Sequence, residues 1–190
     1  MRILVILIFS LSAIANDCHY SFSKYGSGDV HNQISDSCIQ NIISNASDAK
    51  KVQSDGKNFV AGSNALLILD DNMQVLKMIA GEYSSLENII AIAVSLDHNE
   101  IALLEDISFE VKVFSTQYAG NMAPLRVIRT NELIGSASIA YVGDKICAYN
   151  PIQKTTYQYS KDANANRREQ FRNLNLVGKI DGTDSISCIP

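Results

Sequence analysis

The chain has 190 residues, with 16 basic against 20 acidic side chains, a formal charge of −4 and no tryptophan. An acidic chain with scattered basic residues and no indole to stack on bases is a poor nucleic-acid binder. At 46% apolar residues it can bury a core, and its length suits one domain rather than two.

Residues 1–15 read as a signal peptide. Met1-Arg2 precedes the apolar run Ile3 to Leu11, and Ala13-Ile14-Ala15 supplies small residues for cleavage, so the expected mature start is Asn16. The run is too short for an integral membrane segment. Ala15-Asn16-Asp17 ahead of Cys18 does not make a lipid-attachment motif, because an acidic residue stands where a small one is needed. The expected location is therefore secreted or periplasmic, where cysteines oxidise. Cys18, Cys38, Cys147 and Cys188 are even in number and lack zinc-site spacing, so disulfides are expected. Three pairings are open, of which Cys18 with Cys38 and Cys147 with Cys188 closes the shortest loops.

Residues 16–49 form an N-terminal segment with two candidate strands. Tyr20-Ser21-Phe22-Ser23-Lys24 matches Tyr157-Gln158-Tyr159-Ser160-Lys161 in type and spacing, and Ile39-Gln40-Asn41-Ile42-Ile43 follows as a second strand. Asn45-Ala46-Ser47 fits an N-glycosylation acceptor.

From residue 50 to 190 the chain repeats itself. Lys51 to Val60 falls on Ala93 to Ala102 without a gap, Ala102 to Ser115 on Cys147 to Ser160, and Leu76 to Ile79 on Leu125 to Ile128. Periods of roughly 40 to 45 residues, each with four strands, are the mark of β-propeller blades. Strands a, b, c and d are predicted at 50–54, 57–63, 65–70 and 74–80, then 89–95, 100–105, 110–115 and 124–130, then 137–142, 145–150, 155–160 and 169–176. Ile89 to Val94 is a continuous apolar run suited to a strand buried on both faces. Ser185-Ile186-Ser187-Cys188-Ile189 reads as one more a strand. The predicted fold is all-β and propeller-like: three complete blades plus a fourth split between the termini. Because open rows of blades leave strand edges and apolar faces uncovered, a closed ring, a homodimer completing a larger ring, or an arc covered by a partner are the expected solutions.

The stretch Val113-Phe114-Ser115-Thr116-Gln117-Tyr118-Ala119-Gly120-Asn121-Met122-Ala123-Pro124-Leu125-Arg126-Val127-Ile128 resembles the connection between third and fourth strands in NHL-like propellers of bacterial secreted type. The resemblance is good in the second unit and degenerate in the others. It implies a fold rather than an activity, since such propellers serve as enzymes, ligand binders and scaffolds.

Candidate chemistry is sparse. Glu105-Asp106 ends the second b strand, where the b–c loop emerges, and Asn64 and Asn150 stand in the equivalent loops, so the four are predicted to line one polar rim. A divalent cation there would need several converging oxygens. His98 lies in a turn and His19 and His31 in the N-terminal segment, without a ligand pattern. Asp55 and Asp97 share a turn position explained by side-chain to backbone bonding. Arg167, Arg168 and Arg172 read as a solvated loop. No cofactor is called for. The function expected is a binding or scaffold module holding a protein or small ligand at a propeller face, with no catalytic residues assigned; the alternative is a small hydrolase or lactonase with a carboxylate-lined metal site.

Overall fold

The structure, a computed structural model, describes residues 35–163 and 176–188. A helix, α1 (Asp36–Asn45), precedes twelve strands: β1 (Lys51–Ser54), β2 (Lys57–Ala61), β3 (Ala65–Leu69), β4 (Val75–Ala80), β5 (Ile89–Ser95), β6 (Glu100–Glu105), β7 (Glu110–Ser115), β8 (Arg126–Arg129), β9 (Ser138–Val142), β10 (Lys145–Asn150), β11 (Thr155–Ser160) and β12 (Leu176–Asp181). They pair in three four-stranded antiparallel sheets, each running in sequence order across the sheet. These are blades 1, 2 and 3 of a partial β-propeller.

The continuous apolar runs follow from stacking. Side chains alternate across a strand, so a sheet buried on both faces must be apolar at every position. In β3, Ala65, Leu67 and Leu69 enter the cluster beneath α1, while Leu66 and Ile68 enter the cluster shared with blade 2. In β6, Ile101 and Leu103 face blade 1 and Ala102 and Leu104 face blade 3. The inner strands β1, β5 and β9 adjoin in turn, and no element of blade 1 packs comparably against blade 3, so the described residues form an open arc.

Both ends of the arc are covered by the chain itself. At blade 1, α1 lays Cys38, Ile39 and Ile42 over Val60, Leu67, Leu69 and Met78. The helix approaches closely because Gly62 has no side chain: a Cβ there would lie 3.1 Å from Ile42 Cγ1. At blade 3, residues 182–188 fold back over the outer face. Cys188 is joined to Cys147 on β10, the Ser187 amide donates to Thr156 Oγ1 at 3.1 Å, and the Tyr149 hydroxyl donates to the Thr183 carbonyl at 3.0 Å. This face carries Thr156 and Gln158 where the inner faces carry aliphatic residues, which suits a terminal surface in a stacked-repeat protein. The sheet edge is guarded too: Gly120 bridges Ile79 in parallel, its amide donating to the Met78 carbonyl at 2.6 Å.

Three expectations are corrected. Ile39 to Ile43 is not a d strand but the middle of α1, because Ser35 caps the first turn and Ile39, Ile42 and Ile43 share one helical face. The last described d strand, Leu176–Asp181, runs past the predicted end at 176, and 169–175 of the predicted range lie outside the described residues. Residues 185–188 form no strand and instead make the side-chain contacts of the end cap. The leader and Tyr20 to Lys24 lie outside the described residues.

Candidate binding face

In each blade the a–b and c–d turns emerge on one side of the arc and the b–c and d–a connections on the other. All four predicted rim residues fall on the second side. Asn64 is in the β2–β3 turn, Glu105 and Asp106 begin the β6–β7 turn, and Asn150 begins the β10–β11 turn. Among the described residues no group of three or more histidine, cysteine or acidic side chains is placed to hold a metal.

Asn150, Glu105 and Asp106 engage their own surroundings. Asn150, fully buried, accepts from the Ile152 and Gln153 amides at 3.0 Å each and donates to the Ile134 carbonyl at 2.8 Å, locking its turn to the d–a connection. Glu105 does the same work in blade 2, accepting from the Glu87 amide at 2.9 Å and the Ser108 hydroxyl at 2.7 Å. Because it is buried and charged it needs a counterion. Lys112 Nζ supplies one at 2.8 Å, and is itself held by the Ser85 carbonyl and by Glu110 at 3.9 Å; Glu110 also pairs with Arg129. Asp106 is exposed, and its carboxylate accepts from Asn88 Nδ2 at 3.4 Å.

What these locked turns present to solvent is apolar. Ile107 and Ile152 occupy the same position in successive blades, two residues beyond Glu105 and Asn150, and are 66% and 85% exposed. Ile134 and Tyr83, on the adjoining d–a connections, are 48% and 50% exposed. Single exposed aliphatic residues are ordinary, but a repeated position held out by a buried hydrogen-bond network is a built feature. Sequence reasoning missed these residues, although the 45-residue repeat register aligns Ile107 with Ile152 in turns that should be polar.

On the opposite side the charges are absorbed between blades 2 and 3. Arg126 donates both terminal nitrogens to Glu100, at 2.6 and 2.5 Å, and the Tyr141 hydroxyl joins at 3.1 Å. Burial alone would raise the Glu100 pKa, but the Arg126 hydrogen bonds and charge outweigh it and leave it below the ordinary glutamate value. Burial first, and the carboxylate second, hold the Tyr141 hydroxyl protonated well above the usual tyrosine range. His98 stands 3.3 Å from both Asp144 Oδ1 and the Gly143 carbonyl, linking two a–b turns. A groove of about 220 Å³ between blades 1 and 2 is lined by Phe59, Leu76 and Leu96 together with Asp55, Lys57 and Lys77. Lys77 donates to the Thr116 carbonyl at 3.2 Å.

Three residues of the stretch resembling NHL-like propellers make structural contacts. Gly120 bridges β4, Asn121 Oδ1 accepts from the Tyr83 and Ser84 amides at 2.6 and 3.3 Å, and Arg126 binds Glu100.

The class defined by these blades is a partial β-propeller with both described ends self-covered. No family model and no curated protein matches the sequence. Among solved structures the chain is similar to the WD40 domain of Neurospora crassa Pan2, at 11% identity and TM-score 0.49 over 70% of this chain and 35% of that one. It is also similar to the β-propeller domain of Myceliophteria thermophila Cps50 (Swd1), at 11% identity and TM-score 0.44 over 60% and 37%. A third is PorZ, a surface component of the type-IX secretion system of Porphyromonas gingivalis, at 14% identity and TM-score 0.45 over 60% and 15%. The chain thus spans well under half the length of each of these three chains.

Proposed function

We propose that this chain is an exported, NHL-like propeller module that binds a protein partner through its b–c side, working as a monomer in an oxidising compartment. The observation that carries the reading is the pair Ile107 and Ile152, each held out of the core by a buried carboxylate or amide that closes its turn. The leader-like residues 1–15 and the Cys147–Cys188 bridge support the compartment. Monomeric behaviour follows from the end caps, because pairing into a larger ring would require displacing α1 and residues 182–188 from apolar and disulfide-tethered positions. The hydrolase or lactonase reading has little left to rest on: Glu105 is neutralised by Lys112, and Asn150 spends its amide on its own turn.

The test is site-specific photo-crosslinking in cells of the source organism, with the photoreactive amino acid in place of Ile152 or, on the opposite side, Met73. A discrete product from position 152 and none from 73 is expected. A product from 73 alone, or from neither, would overturn the assignment of the face.

A further inference from the structure

In blades 2 and 3 the unpaired charges on the side of the exposed isoleucines are acidic. In blades 2 and 3 the b–c side carries Glu82, Glu87, Asp106 and Glu132, and none has a cationic partner among the described residues. The cations that reach this side in blades 2 and 3 are already engaged, Lys112 by Glu105, Arg129 by Glu110, and Lys154 by Asp184 at 2.8 Å, while Lys50 and Lys51 stand on the same side at the start of blade 1. Glu132 Oε2 is also shut off from solvent without a hydrogen-bond donor among the described residues. Like charges left together repel, and a bound cation relieves that repulsion while an anion adds to it.

Apolar tips flanked by uncompensated carboxylates select a particular partner. Resting on the proposed binding role, we infer that the b–c side docks an extended protein segment in which lysine or arginine alternates with large apolar side chains. Its apolar residues seat against Ile107 and Ile152, and its cations reach Asp106 and the carboxylates of the d–a connections. Two anchors on separate blades, rather than one pocket, fit an extended segment better than a compact ligand. Nucleic acid and anionic lipid surfaces are disfavoured by the same charge. Glu105 and Asn150 are positioning residues, since they hold the tips and touch no partner.

The experiment uses the full mature chain and three labelled synthetic peptides, alternating Lys with Leu, Glu with Leu, and Lys with Ser, read by fluorescence anisotropy at low and high salt. The Lys-Leu peptide should bind at least about tenfold more tightly than either other, and should weaken as salt rises. Ile107→Ser with Ile152→Ser should weaken it by about tenfold and leave the salt slope intact, whereas Glu82→Gln with Asp106→Asn should weaken it and flatten the slope. All substituted residues but Asp106 lack side-chain hydrogen bonds among the described contacts, so unchanged thermal melting is the folding control. Equal binding of the Glu-Leu peptide, or indifference to both double variants, overturns the inference. If position 152 still crosslinks a partner in cells while the Lys-Leu peptide fails, the face stands and its charge chemistry is wrong; if both fail, the proposed function falls as well.

Discussion

Asn150 shows how a residue fitting a polar rim by type serves the fold by contact. It lies buried at the end of β10 with three hydrogen bonds, and Gly135, at φ +80°, passes close enough that a Cβ would lie 3.2 Å from Asn150 Nδ2. Asn150→Ala should cost about 2 kcal/mol, because it leaves the Ile134 carbonyl and two amides to find water, and urea unfolding at neutral pH measures it. Glu100 makes a second residue-level case. Its pKa is depressed in the folded state, so its contribution to stability is complete above its unfolded value near 4.5 and is lost as pH falls through the folded value. Stability of the natural chain should therefore drop as pH falls below about 4.5, and Glu100→Gln should be less stable at neutral pH but show a shallower acid decline. Parallel acid slopes for the two proteins would remove Glu100 from the account.

At the scale of elements, the strands easiest to read were those with two buried faces or a strict alternation. β5, β6, β7, β10 and β11 fall on the predicted ranges because inter-blade packing demands apolar residues throughout, and the repeat marks their phase. β12 has no such marker, and its described end at Asp181 lies beyond the predicted one. The helix was missed because three isoleucines within five residues suit a strand as well as a helix; Ser35 as cap and the i, i+3, i+4 spacing were the available signals. The side of the arc holding the rim residues was legible from the repeat, but their engagement in turns was not, and neither was the exposure of Ile107 and Ile152 at the turn tips. Because α1 substitutes for a neighbouring blade, Ile42→Ala should cost about 2 to 5 kcal/mol and loosen the helix from blade 1. Hydrogen exchange checks it: amides of α1 should exchange faster while those of β6 and β10 stay protected. Uniform acceleration across the molecule would mean that α1 is not a separable cap.

For the whole molecule, ring closure is the usual way for a propeller to avoid exposed edges and faces. Among the described residues the outer faces are covered differently, with an apolar helix over blade 1 and a disulfide-tethered segment over blade 3. Cys147 and Cys188 are 41 residues apart, and by chain entropy the bridge is worth about 4 kcal/mol. Replacing both by serine should free residues 182–188 and lower the melting temperature, and a melt unchanged by that replacement would remove the tether from the account. The measurement that bears most directly on the capped arc is sedimentation equilibrium of the oxidised mature protein over a wide concentration range. A single monomer mass at every concentration is the expected result. A stable dimer under the same conditions would show that the ends seek a second copy, and would contradict the self-covered arc.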